Sequence, residues 1–160
     1  MNPEEGLRRV AELAATQDWL AVLATRGSDD DPAPALVNAG ILAHPVTGEQ
    51  VVAFVSRGGT AKLRNLRRHP RGTLVFRSGW DWIAVAGAVD IAGPDDALDG
   101  VTADQVPTLL REAYTAAGGT HSDFAEYDRE MAKDRRAAVY VRPEKFTTNP
   151  LPHDREKSTD

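Results

Sequence analysis

The sequence contains no cysteine, which excludes disulfide bonds, thiol nucleophiles and cysteine-based metal sites. Histidine is also scarce, and the four histidines lie apart without carboxylates at ligand spacing, so no metal centre is predicted. Neither a GxSxG turn nor a Ser/His/Asp grouping is present. The residues therefore indicate no nucleophile and no acid–base pair, and no catalytic residue is predicted. If the protein is an enzyme, a bound cofactor has to carry the chemistry.

Long apolar runs are absent as well, and the first fifteen residues, MNPEEGLRRVAELAA, include acids close to the start. This N-terminus is typical neither of a signal peptide nor of a membrane span, so we expect a cytoplasmic protein. A length of 160 residues, with 41% hydrophobic and 27% charged residues, is ordinary for one globular domain. The net charge of -5 argues against a general nucleic-acid binder.

Apolar patterning predicts six short strands, at residues 19–25, 33–43, 50–56, 72–78, 81–92 and 135–143. Helices are predicted at residues 3–16, 60–68, 103–117 and 122–134. Most connections between the strands are too short for crossovers, so the strands are expected to be mainly antiparallel. These elements predict an α+β domain at residues 1–148 with a closed or nearly closed six-stranded barrel, and a polar tail at 149–160.

Two of the predicted strands, 19–25 and 50–56, are apolar on both faces. One face can fill the barrel, and the other then needs cover from helices or from a second subunit. In strand 81–92, alternation separates a face of large apolar residues from a face of small alanines beside Trp80 and Trp82. The small face leaves space for a flat molecule or for close packing of another chain. Alternatively, the two indole rings simply cover an end of the barrel.

A basic segment interrupts this acidic chain. Residues 57–77 contain seven lysines or arginines and no acid, and five of the seven lie in TAKLRNLRRHPRG at 60–72. A local field of one sign within a chain of the other sign usually serves an anion.

The residues just ahead of this segment, VSRGGTAK, have the features of a phosphate site. A buried strand ends at Ser56, two glycines allow a sharp turn, and Thr60 begins a helix. The free amides of that helix start, the two hydroxyls and the Lys62 ammonium would converge on one spot. The alternative is a plain turn followed by a solvated basic helix. The segment matches neither a P-loop nor a GxGxxG dinucleotide fingerprint.

The same run of residues carries a family resemblance. A strand that ends in VS, a turn, and then TAKLRNLRRHPRGTLVF resembles the flavin and deazaflavin oxidoreductases of the pyridoxamine-5′-phosphate-oxidase-like split β-barrel superfamily. The run KLRNLRRHP is especially similar to the mycobacterial-type branch that binds the deazaflavin coenzyme F420. Three further segments are also similar to that branch: PALVNAGILAHP, GWDWIAVAGAVDI and THSDFAEYDREMAKDRRAAVYVRPEKFTTNP.

The resemblance implies a homodimer of split barrels with two cofactor sites at the subunit interface. It places Ser56, Lys62 and Asn65 at the cofactor's phosphate and adjoining groups, and it places Asn38 and Gly40 on the strand that lines the ring. A segment of three residues beside the ring system is implied at 80–82. The full set of implied cofactor-binding residues is Asn38, Gly40, Val55, Ser56, Arg57, Thr60, Ala61, Lys62, Asn65, Trp80, Asp81 and Trp82.

Several positions depart from the family pattern. Thr60 stands where close relatives often carry arginine, and Ala61 stands where the true pyridoxamine-phosphate oxidases have arginine. Gly40 replaces a polar side chain of some relatives. The C-terminal pattern with which those oxidases hold their substrate is missing too. We therefore do not expect vitamin B6 oxidase activity, and FMN ranks second to F420 as the expected cofactor.

Charge also favours the deazaflavin, because its oligoglutamate tail is more negative than the single phosphate of FMN. Arg57, Arg64, Arg67 and Arg68 would form a basic rim for that tail, although exposed pairs contribute only ~0.2–1 kcal/mol each.

The expected function is that of an F420-dependent reductase that passes hydride to an unsaturated or quinone-like organic substrate. An FMN-binding oxidoreductase is the second possibility. The third is a non-catalytic protein that binds flavin, deazaflavin or haem. Nucleic-acid binding ranks last, since the basic run has no interleaved aromatic residues.

Overall fold

Seven strands and four helices form the structure, a computed structural model that describes residues 1–150. The helices are α1 (Pro3–Ala14), α2 (Ala61–Arg68), α3 (Val106–Ala116) and α4 (Phe124–Lys133). The strands are β1 (Leu20–Arg26), β2 (Pro32–Ala43), β3 (Gln50–Ser56), β4 (Arg71–Ser78), β5 (Asp81–Ala92), β6 (Ala137–Val141) and β7 (Lys145–Thr148). The polar tail predicted at 149–160 lies outside the described residues except for its first two.

The first six strands close into a barrel in the order β4-β1-β2-β3-β6-β5, with β5 pairing back to β4. Every strand pairing within residues 1–150 is antiparallel. Helix α2 occupies the connection between β3 and β4, which do not pair with each other. The prediction of an α+β split barrel with six mainly antiparallel strands is confirmed.

Strand β7 was not predicted. It spans only four residues, Lys145–Thr148, and extends the sheet by pairing with residues 83–86 of β5. Strand β6 begins at Ala137 rather than at residue 135, because Arg135 has a positive φ of 50° and does not join the ladder.

The N-terminal helix begins as the sequence indicates. Asn2 caps α1, and its side chain and that of Glu5 form a reciprocal capping box, with Pro3 in the first turn. The helix ends at Ala14, and residues 15–17 continue as a 3₁₀ turn. None of the helices within residues 1–150 combines the length and apolar character needed to cross a membrane.

The barrel interior is filled by large side chains such as Leu23, Phe54 and Phe76, all fully buried, and α1 and α2 pack against this cluster. A second cluster lies outside the barrel, where α3 covers Val51 and Ala53 of β3. Both faces of strand 50–56 are therefore covered by the chain itself. Of the two kinds of cover that the sequence left open, helices and a second subunit, helix α3 supplies the one on this strand.

The outer face of β1 is different, because nothing within residues 1–150 covers it. Leu20 is 38% exposed, Val22 is 44% exposed and Leu36 of β2 is 67% exposed. Strand register aligns Val22 and Leu36 with three further residues in one row across five strands, in the order Leu36, Val22, Val75, Ala84 and Thr147. We call these five residues the outer row. It crosses an open, largely apolar sheet face of the kind that marks an interaction surface.

Candidate functional site

Residues 56–60 form the tight turn between β3 and α2. Gly59 has a φ of +75°, and a Cβ at Gly58 would lie 2.6 Å from the Arg135 carbonyl oxygen, so both positions favour glycine. The turn brings the Ser56 hydroxyl within 3.2 Å of the Thr60 hydroxyl. The two hydroxyls predicted to converge are thus neighbours.

Helix α2 begins at Ala61, with Thr60 in the N-cap position. The Thr60 side chain makes no capping hydrogen bond to the helix, and no side chain of residues 1–150 caps its first turn. The first amides of α2 therefore keep their capacity to bind an anion.

Lys62 is half-buried and has no hydrogen bond or ion pair with any side chain in the part of the chain that the structure describes. Burial, and then the positive charge of Arg136, lower the pKa of the Lys62 ammonium from its usual value. The charged group that acts on Lys62 is thus another cation.

Arg136 is a site residue that the sequence did not reveal. The register of β3 with β6 pairs Ser56 with Ala137, so Arg136 reaches the same end of the barrel as the β3–α2 turn. Its Nε atom is buried and has no hydrogen-bond partner within residues 1–150. One terminal nitrogen lies 3.3 Å from Asp134. The only signal in the sequence is a pair of arginines just before an apolar strand.

Asn65 lies on α2 but points into the end of the barrel. It is 5% exposed, its amide nitrogen donates to the Thr25 hydroxyl at 3.1 Å, and its oxygen accepts a hydrogen bond from Arg68. Both ends of the Asn65 amide therefore already have partners within the chain. These two hydrogen bonds hold the Asn65 amide between β1 and α2.

The predicted basic rim on α2 is largely occupied by intramolecular contacts. Arg67 forms a bidentate pair with Asp96, with both N–O distances at 2.7 Å. Arg57 lies 3.3 Å from Asp134. The remaining rim residues, Arg64 and Arg68, donate to the Gly59 carbonyl and to Asn65 respectively. Arg64 and Arg68 are thus the rim residues without an acidic partner among residues 1–150.

Asn38 and Val55 border a common cavity of about 270 Å³ on the outer side of β2 and β3. Helices α3 and α4 supply further lining residues, and Arg136 closes one side. The Asn38 amide donates to the Asp18 carbonyl oxygen at 2.8 Å, which fixes its orientation. The structure therefore brings together Asn38, Val55 and the newly found Arg136.

Gly40 lies on the same outer side of β2, beneath the end of α3. A Cβ at this position would lie 2.2 Å from the backbone carbonyl of Ala116. The close approach of helix to strand accounts for a glycine here without any contact to a ligand.

Gly40→Ala is expected to destabilise the protein by about 1–3 kcal/mol, because α3 must move to admit the methyl group. Gly72→Ala is the matched control, since a Cβ there meets only side-chain atoms at 3.4 Å. Urea unfolding compares the two variants. Equal midpoints for Gly40→Ala and the wild type would mean that α3 does not press on β2.

Residues 80–82 lie at the opposite end of β5 from the Lys62 region. Ala92, at the far end of β5, pairs with Ala138 beside the Ser56 register, whereas Trp80 sits in the β4–β5 turn and is 91% exposed. Ten residues of strand separate the two ends by roughly 30 Å. Asp81 lies 3.7 Å from Arg9. Within one protomer the tryptophan segment and the Ser56–Lys62 turn therefore lie at opposite ends of β5, whereas Trp82 pairs with Arg77 of β4 in the sheet that β1 continues to Asn38.

Residues near the end of the described chain hold this tryptophan segment. The side chain of Asn149 accepts a hydrogen bond from the Trp82 amide at 3.1 Å and donates one to the Trp80 carbonyl oxygen at 3.2 Å. Thr148 donates to the Trp82 carbonyl oxygen at 2.7 Å. The backbone at Trp80 and Trp82 is thus held by β7 and the residue after it.

A buried histidine–carboxylate pair lies apart from these residues. The Val46 and Thr47 amides donate to Nδ1 of His44, and Nε2 lies 2.8 Å from Asp90. Burial acts to raise the pKa of Asp90, but hydrogen bonds from Arg142 and His44 outweigh it and hold that pKa below its usual value. Asp90 is therefore ionised at neutral pH and ties the β2–β3 turn to β5.

No protein-family model matches the chain. A pyridoxamine 5′-phosphate oxidase-related, FMN-binding protein from Nostoc punctiforme superposes with a TM-score of 0.63 at 12% identity, over 92% of this chain and 84% of that one. An F420 reductase superposes with a TM-score of 0.58 at 19% identity, over 86% of this chain and 94% of that one. The haem storage protein HutZ from Vibrio cholerae superposes with a TM-score of 0.55 at 11% identity, over 92% of this chain and 94% of that one. At these identities the shared feature is the split β-barrel fold.

Proposed function

We propose that the protein is a homodimeric F420-dependent reductase that passes hydride to an unsaturated or quinone-like organic substrate. The observation that carries this proposal is the half-buried, unpartnered ammonium of Lys62 at an uncapped helix start, next to the Ser56 and Thr60 hydroxyls. Hydroxyls, free amides and an ammonium together form a donor set suited to a phosphoryl group. Similarity of fold to an F420 reductase supports the same assignment.

The residues fit a phosphorylated ring cofactor in two parts. Ser56, Thr60 and Lys62 would hold the phosphate, and the cavity bordered by Asn38 and Val55 would hold part of the ring. A deazaflavin, when bound, supplies hydride chemistry that needs no protein nucleophile. The chain then has to bind, orient and exclude water, which agrees with its lack of a candidate acid–base pair.

The cofactor site needs a second copy of the chain to be complete. Register places residues 80–82 at the other end of β5 from the Lys62 region, and the outer row leaves Leu36 and Val22 exposed on the sheet face next to Asn38. A homodimer formed through this face covers the apolar residues. It would also allow Trp82 of one protomer to approach the cavity of the other.

Two alternatives on the same fold are supported by specific similarities. FMN is the second candidate cofactor, since a solved FMN-binding protein shares the fold. A non-catalytic role in binding flavin, deazaflavin or haem is the third candidate, since a haem storage protein also shares the fold. We propose no nucleic-acid or membrane partner.

Titration of the cofactor-free protein separates these possibilities. Oxidised F420 and FMN are followed by fluorescence quenching, and haem is followed by its visible absorbance. We expect F420 to bind more tightly than FMN, and haem to bind least. Tighter binding of haem than of either flavin-type ligand would contradict the proposal and favour the storage role.

Salt dependence tests whether the surface of α2 attracts the anionic tail of F420. Raising the salt concentration is expected to weaken F420 binding more than FMN binding, because exposed charges are screened over about 8–10 Å. Since Arg67 and Arg57 have acidic partners, the difference should rest on Arg64 and Arg68. Arg64→Gln should reduce the difference in salt dependence between F420 and FMN. Arg129→Gln, which changes an exposed arginine on α4, should leave this difference unchanged. The same salt dependence for both ligands would show that α2 is only a solvated surface.

A further inference from the structure

Arg136 differs from its neighbour Arg135 in what it binds. Arg135 is exposed and forms a bidentate pair with Asp95. Arg136 is half-buried, its Nε is buried without a partner, and its one acidic contact is the 3.3 Å approach to Asp134. Asp134 is moreover shared, because its other oxygen accepts from Arg57. The guanidinium of Arg136 is thus incompletely satisfied within residues 1–150.

Two half-buried cations, Lys62 and Arg136, lie at the same end of the barrel, because Ser56 just before α2 pairs with Ala137 of β6. Burial and the positive charge of Arg136 both lower the pKa of Lys62, and the acidic contact of Arg136 within residues 1–150 is the one to Asp134. Such a pair is stabilised by an anion that contacts both. Arg136 also lines the cavity that Asn38 and Val55 border, so an anion that contacts Arg136 can lie at the edge of this cavity.

We propose that Arg136 is a second binding residue for the ligand's phosphoryl group, and that it contacts this group from β6 while Lys62 contacts it from α2. This inference rests on the proposed function and adds a residue and a ligand group to it. Guanidinium groups bind phosphoryl oxygens through two parallel N–H donors, and Nε with one terminal nitrogen forms one such pair.

Arg136→Met tests this assignment, because methionine keeps the length and apolar contacts of the stem and removes the charge. FMN and F420 are expected to bind about 10- to 100-fold more weakly to the variant. Riboflavin, which has the ring of FMN without the phosphate, is expected to bind the variant and the wild type equally. Arg135→Met is the matched control and should leave all three affinities unchanged.

A double variant measures whether the two cations act on one group. If Lys62 and Arg136 contact the same phosphoryl group, the loss of FMN affinity in Lys62→Met/Arg136→Met should differ from the product of the two single losses. Strict additivity, or an equal loss for riboflavin and FMN in Arg136→Met, would overturn the proposal.

The pKa of Lys62 gives a readout that needs no cofactor. In Arg136→Met, NMR titration of the Lys62 ammonium should show a higher pKa than in the wild type, because a like charge has been removed. An unchanged pKa would mean that the two side chains are not neighbours and would overturn the inference.

Inorganic phosphate separates failure of this inference from failure of the proposed function. If the wild type binds neither F420 nor FMN, but phosphate shifts the Lys62 signal in the wild type and not in Arg136→Met, the anion site stands and the proposed function is wrong. If phosphate leaves the Lys62 signal of the wild type unchanged and FMN binds as tightly to Arg136→Met as to the wild type, the anion site is wrong.

Discussion

Lys62→Ala is expected to weaken binding of F420 and FMN by about 10- to 150-fold, because an ammonium–phosphate contact contributes roughly 1.5–3 kcal/mol when partly desolvated. Lys62 is the half-buried cation that has no partner within residues 1–150, so its loss leaves the phosphate without a direct positive contact from α2. Fluorescence titration of the cofactor-free protein measures the change.

The same substitution should leave folding intact or improve it. In the free protein the ammonium is desolvated and repelled by Arg136, so removing it relieves both effects. Lys62→Arg should restore only part of the affinity, because a longer planar group replaces a compact charge. Lys133→Ala, which removes an exposed lysine from α4, serves as the control. Wild-type affinity for both ligands in Lys62→Ala would mean that the phosphate binds elsewhere.

Val22→Asp is expected to convert the dimer into monomers and to abolish tight cofactor binding. Val22 is 44% exposed and lies in the outer row between Leu36 and Val75. A dimer interface of more than ~2,000 Å² through this face would bury one aspartate from each protomer, at a cost of several kcal/mol per carboxylate. Light scattering at micromolar concentration measures the mass.

Val46→Asp is the matched control for this substitution, since Val46 is 49% exposed but lies in the β2–β3 turn, away from the outer row. The Val46→Asp variant should have the same mass in solution as the proposed wild-type dimer. Circular dichroism of Val22→Asp should match that of the wild type, because the residue does not line the barrel. A wild-type protein that is monomeric at micromolar concentration would contradict the proposed homodimer. A Val22→Asp variant that remains dimeric would place the interface on another face.

Much of the barrel could be predicted from the sequence because its strands have strong apolar patterns and short connections. The predicted starts and ends of the first five strands lie within about one residue of those observed. Strand β7 escaped prediction because four residues with one aromatic side chain give little signal, and the strand exists through its pairing with β5. The sequence also could not distinguish which of the two apolar strands, 19–25 or 50–56, has an outer face that the chain leaves uncovered. Strand 50–56 looked two-sided because α3 covers it, whereas β1 is left exposed.

Parts of the candidate site that are local in the chain were predicted, and parts that depend on distant pairing were not. The approach of Ser56 to Thr60 follows from a four-residue turn. The position of Arg136 follows from the register of β3 with β6, across about eighty residues of sequence, and no local pattern encodes it. Asn65 faces inward because Thr25 offers a buried partner, which only the closed barrel makes visible.

The hydrogen bonds from Thr148 and Asn149 to the tryptophan segment set an order of events during protein synthesis. The β4–β5 hairpin emerges from the ribosome well before these two residues, since chains are made and domains begin to fold from the N-terminal side. Until residues 145–149 follow, β5 has an unpaired edge and the Trp80–Trp82 segment lacks these bonds. A nascent chain therefore cannot present its finished tryptophan segment to another chain. If the protein assembles as the proposed homodimer, the tryptophan segment can take part in the interface only after β7 has formed.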